Sequence, residues 1–81
     1  MKLEPKFDRH KSFYGKATVK AEGDKKHLTS YTTRAATVMS SRAIVYGTYS
    51  NTTLRHIKEF LLQNGFKADT KKQIVKDYMV Q

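Results

Sequence analysis

The sequence predicts an α+β domain: a three-stranded antiparallel meander, then one long helix packed on one sheet face and a short C-terminal helix. Three observations predict it. Polarity alternates from Ser12 to Ala21, the period of a half-buried strand. The period changes near Ser50, after which Leu54, Ile57, Phe60 and Leu61 recur at helical spacing. Turn residues at Gly23, Ser40-Ser41 and Asn64-Gly65 punctuate the stretches between.

Residues 1–11 mix charges around Pro5 without any hydrophobic period. They read as a flexible N-terminal arm ahead of a single domain at 12–81. In the first strand Phe13, Gly15, Ala17, Val19 and Ala21 share one face, and Tyr14, Lys16, Thr18 and Lys20 the other. Gly23 can supply the positive φ that a turn at 22–25 needs. The next strand is expected from about His27 to Met39. Its inward face stays open, because Leu28 and Val38 disagree in parity with Tyr31 and Met39. A bulge near Ala35-Ala36 would reconcile them. A turn at 40–42 leads to the third strand, Ala43 to Tyr49.

The long helix is expected at about 52–64. Ser50, Asn51 or Thr52 can cap its start, and Asn64-Gly65-Phe66 matches a left-handed glycine stop. Arg55, Lys58, Glu59 and Gln63 are expected to point away from the sheet. Thr70-Lys71-Lys72-Gln73 fits a capping box and opens a second helix at about 71–79, with Ile74 and Tyr78 inward. One helix covers one face of such a sheet, so the other should meet solvent.

Composition narrows the function. Eighty-one residues with 38% apolar content and no Trp allow one domain with a thin core. The absence of Cys excludes disulfides, thiolate zinc sites and cysteine nucleophiles. No apolar run approaches the roughly 18 residues that span a membrane, and the polar first residues do not resemble a signal peptide; a cytoplasmic protein is expected. His10, His27 and His56 fall on arm, strand and helix with no i, i+4 pair, so no metal is expected. The four glycines form no phosphate loop, the carboxylates show no acid–base spacing, and the serines lack a base. The expectation is a non-enzymatic protein without a cofactor.

Sixteen Lys and Arg against seven Asp and Glu leave +9, a field that attracts polyanions. The excess is spread along the chain, with +2 on residues 1–11, +4 on 12–50 and +3 on 51–81. The outward sheet face should carry Tyr14, Lys16, Thr18, Lys20, Ser30, Thr32, Arg34, Tyr46 and Thr48. Cations interleaved with hydroxyls and rings suit nucleic acid: phosphate is neutralised, its oxygens are bonded and bases find a stacking surface. The same residue types also favour strands for their own sake. At the strand–helix joint, capping accounts for the hydroxyls but not for Arg55 and His56, cations near a helix start that an anionic partner would suit. The candidate binding residues are therefore Tyr14, Lys16, Lys20, Arg34, Tyr46, Arg55 and His56.

The stretch "YGTYSNTTLRHIKEFLLQNGFKA", with "SFYGKATV" and the "Y-T-T" of the second strand, resembles a family of small uncharacterised domains encoded by bacteriophages and their bacterial hosts. The likeness covers about residues 12 to 79 and implies a mobile genetic element. Three strands, "GTY", a hydroxyl corner and a packed helix are also similar to integrase arm-binding and plant ethylene-response DNA-binding domains, which lay their sheet in the DNA major groove. That resemblance gives Lys16, Lys20 and Arg34 the role of sheet-borne cations. The chain lacks those domains' Trp and most of their Arg, so the contacts implied are mostly to phosphate. Two readings result: binding of DNA or RNA through the open sheet face, or inhibition of a host or defence protein, as an anti-CRISPR does. Oligomeric state is left open.

Overall fold

Val19 and Leu28 face each other across the first hairpin and set the register for the rest of the sheet. The computed structural model describes residues 1–8, 13, 15–47 and 50–79. Its strands are β1 (Ala17–Glu22), β2 (Lys25–Ser30), β3 (Thr33–Val38) and β4 (Ala43–Val45), and its helices α1 (Asn51–Gln63) and α2 (Lys71–Tyr78). The four strands form one antiparallel meander in the order β1-β2-β3-β4.

The α+β class, the antiparallel sheet and the two helices follow the sequence expectation; the strand count does not. The stretch expected as one strand over 27–39 is a hairpin that reverses at Tyr31-Thr32. Neither residue is a turn former, so the sequence carries no punctuation there. The bulge does exist. Leu28 pairs with Ala36 but Thr29 pairs with Arg34, which leaves Ala35 over. Ala35 and Ala36 are both buried as a result, while Arg34 and Thr37 share the opposite face. The first strand begins at Ala17 rather than Ser12, because Gly15 takes a φ of +72° and turns the chain just before it.

Ala17, Val19, Leu28, Ala36 and Val45 form the inner face of the sheet, and Ile57, Phe60 and Leu61 of α1 lie against it. Each large apolar side chain removed from water here contributes about 1.5–3 kcal/mol. Helix α1 starts as its cap residues predict, with Ser50 Oγ accepting the Thr53 N–H at 3.2 Å. It stops at Gly65, where φ is +83°. There Phe66 N–H donates to Leu61 O at 2.9 Å and Gly65 N–H to Leu62 O at 3.1 Å, both bonds of a Schellman stop. Thr70 Oγ1 caps α2 by accepting the Gln73 N–H, but Gln73 Oε1 accepts from Asp69 N–H, one residue before the cap. Ile74 is buried in the core, and Tyr78 meets Phe66 edge to face at 6.2 Å.

Among residues 1–8, Lys2, Leu3, Phe7 and Asp8 make contacts with the body of the domain. Lys2 bridges to Thr18 beside β1, and Leu3, which is buried, donates its N–H to Ala17 O at 2.8 Å. Further along, the Phe7 and Asp8 N–H groups donate to Glu59 Oε1 at 2.8 and 3.0 Å. Glu59 therefore lies buried instead of pointing away. Hydrogen bonds from backbone amides hold this segment, and amides leave no pattern in the side-chain sequence.

Candidate nucleic-acid interface

The face of the sheet turned away from α1 is built by register. Thr18, Thr29 and Arg34 form one row across β1, β2 and β3; Lys20, His27, Thr37 and Ile44 form the next across all four strands. Lys16, Thr18, Lys20, Arg34 and Tyr46 are exposed. The middle of the second row is not. His27 and Thr37 are buried and linked, with His27 Nδ1 and Thr37 Oγ1 at 2.9 Å and Thr37 Oγ1 and the Tyr46 hydroxyl at 3.0 Å. Glu22 Oε2 lies 3.6 Å from His27 Nε2, a contact that becomes an ion pair when the ring carries both protons. This chain fixes the Tyr46 hydroxyl against the sheet, so its ring is presented in a set position. The face thus offers cations, hydroxyls and one anchored ring.

Of the residues singled out from sequence, the structure gathers Lys20, Arg34 and Tyr46 on this face, with Lys16 exposed at its edge. Tyr14 and Thr48 lie outside the described residues. Arg55 is exposed elsewhere, in a groove of about 300 Å³ between α1 and the start of α2, with Lys58, Asp69 and Lys71 on its rim and Ile74 at its base.

Ser30 and His56 correct the expectation. Ser30, expected outward, is buried on the inner face, and His56 is buried against it. Ser30 Oγ lies 2.8 Å from His56 Nδ1 and 3.0 Å from Thr53 Oγ1, and the Phe13 ring stacks at a tilt with centroids 4.6 Å apart. A hydroxyl at this distance from an imidazole is the geometry of a nucleophile and its base. With both side chains only 1% exposed, no substrate reaches the pair, and it serves to join sheet to helix. A sequence signal for this did exist: Thr53, His56, Ile57, Phe60 and Leu61 follow the i, i+3, i+4 stripe, which includes the histidine.

Burial lowers the pKa of His56 below its ordinary 6.5, and the nearby Asp8 charge opposes that only in part. The unfolded chain therefore binds the proton more readily than the folded one. Stability contributed by the neutral ring is complete above about pH 6.5 and declines as pH falls below it toward the lowered folded-state value. A proton NMR titration of the His56 ring is expected to give a midpoint below 6.5; a midpoint above it would contradict burial of the ring.

Among the described residues no three His, Asp or Glu side chains cluster as metal ligands do. No helix among them is long and apolar enough to cross a membrane. A model of a family of unknown function, DUF8033, matches residues 1–76. The match takes in residues 1–11, which the sequence resemblance leaves outside. No curated protein and no solved structure matches the chain.

Proposed function

We propose that this chain, which belongs to the DUF8033 family of unknown function, is a small non-enzymatic protein that binds nucleic acid through the open face of its sheet. The observation that carries the reading is the convergence of Lys20, Arg34 and Tyr46 on that face, with Lys16 at its margin, in a chain of net charge +9. The bulge at Ala35 matters to it, since the bulge keeps Arg34 on the same side as Thr37 and Lys20. Lys and Arg would neutralise phosphates, Thr18 and Thr29 would bond their oxygens, and the anchored Tyr46 ring would lie against sugar or base. Carriage on a phage or mobile element belongs to the same proposal and rests on the sequence resemblance alone.

Fluorescence anisotropy with a labelled duplex and a labelled single strand, across a salt series, tests it. Each phosphate neutralised contributes about 0.9 to the log–log salt slope on duplex DNA, so replacing Lys16, Lys20 and Arg34 with Ala is expected to flatten the slope by up to about 3 units. Thermal stability should change little, because exposed charges contribute little to folding. Absence of binding at low salt sinks the nucleic-acid reading in favour of inhibition of a host or defence protein, for which capture of one partner at moderate salt is the expected result. Equal binding by the triple variant moves the contact away from the sheet, toward the groove at Arg55.

A further inference from the structure

Tyr31 is the first of the two residues that connect Ser30 to Thr33 in the β2–β3 hairpin. Its φ is +58°, and no other non-glycine residue among those described has a positive φ. Glycine is the usual occupant of such a position, because a Cβ there crowds the neighbouring backbone. A bulky residue so placed is a strain that folding alone does not favour. The ring is not buried in compensation. It is 54% exposed, and it lies at a tilt beside the His56 ring with centroids 6.0 Å apart.

The surroundings suggest a use. The Tyr31 N–H donates to Lys16 O at 2.7 Å, which fixes the turn against the start of β1. Arg34 lies three residues on, exposed in β3. Tyr46, also exposed, donates its N–H to Ala35 O at 2.9 Å at this same end of the sheet. One end of the sheet therefore carries two exposed rings and two cations.

We propose that Tyr31 is a base-stacking contact at the β2–β3 hairpin end of the sheet, and that the nucleic acid bound is single-stranded. The inference rests on the nucleic-acid reading above. A ring can stack only on a base whose face is free, and in a duplex both faces are already covered. Phosphate contacts alone use cations and have no need of a ring held in a strained turn. A single strand would place phosphates on Lys16 and Arg34 and a base on Tyr31, an arrangement tolerant of sequence because every base has a π face.

The test uses a labelled oligothymidylate of about 12 nucleotides, within the site sizes of small single-strand binders, beside a labelled duplex. Wild type is expected to bind the single strand more tightly. Tyr31→Phe should retain that affinity, whereas Tyr31→Leu and Tyr31→Gly should lose roughly fivefold to 150-fold on the single strand, the equivalent of one stacked base, with little change on the duplex. Tyr31→Gly should also melt at or above the wild-type midpoint, by about 4 °C if the relieved strain is near 1 kcal/mol. A midpoint lowered by that amount would make the ring a packing group for His56 and overturn the inference. So would wild-type affinity in Tyr31→Leu, or a wild-type preference for duplex. If the Tyr31 variants bind normally while the Lys16, Lys20 and Arg34 replacement loses binding, stacking alone is wrong. If wild type binds neither strand, the nucleic-acid reading falls and this inference with it.

Discussion

Replacing Leu61 with Ala is expected to destabilise the domain by about 2–5 kcal/mol, and Phe60→Ala by about 3–5 kcal/mol. Both side chains are wholly buried between α1 and the sheet. Truncation removes their transfer energy and also leaves a cavity that a four-stranded sheet closes poorly. A domain of this size is stable by only about 4–12 kcal/mol, so either change takes a large share. Leu61 has a second role, since its carbonyl accepts the Phe66 N–H of the helix stop; that bond is backbone and survives the substitution. Lys58→Ala, on the exposed side of the same helix, is the control, with an expected change within about 0.5 kcal/mol. Denaturant titrations of the three variants decide the matter. A Leu61→Ala midpoint no lower than that of Lys58→Ala would mean that the packed face of α1 is misassigned.

Glu59→Ala comes next, at roughly 2–4 kcal/mol, because hydrogen bonds to a charged acceptor are worth more than neutral ones and their donors would be left without it. Glu59 is 1% exposed. Its Oε1 accepts from the Phe7 and Asp8 amides, and its Oε2 accepts from Gln63 Nε2 at 2.6 Å. Gln63 Nε2 in turn donates to Glu4 O at 2.7 Å, so two residues one helical turn apart fasten Glu4, Phe7 and Asp8 to α1. Hydrogen exchange gives the local readout: the Phe7 and Asp8 amides are expected to lose protection in Glu59→Ala ahead of the sheet amides. Unchanged protection at those two amides would contradict the clamp. The same clamp brings Asp8 near His56, where its charge moderates the effect of burial on the imidazole.

These two predictions differ in how far the sequence reached. Leu61 lies on a stripe of helical period, and its burial was legible from spacing. Glu59 sits one position before Phe60 and was expected to face water, as a charged residue beside an apolar stripe usually does. Its partners are main-chain amides about fifty residues away in the chain, and only folding brings them together. The open face divides in the same way. Alternation in β1 was enough to place Lys20 opposite the apolar face, whereas Arg34 depended on a bulge whose outcome the sequence left undecided.

Local features are legible in the sequence. It specified α1 to within a residue, with a cap among Ser50, Asn51 and Thr52 and a glycine stop at Gly65, because capping bonds join residues three to five apart. It placed Ala17 and Val19 inward, Thr18 and Lys20 outward and the turn at Gly23 for a similar reason, whereas Ala21, expected inward, is exposed. Tertiary structure decided the rest. The reversal at Tyr31-Thr32 has no turn chemistry of its own; the pairing of β2 with β3 and the bond from Tyr31 to Lys16 hold it against its backbone preference. Ser30 and His56 are polar residues whose burial becomes favourable only when each finds the other across the sheet–helix interface. Pairings of that kind depend on distance in space, which one-dimensional periodicity does not record.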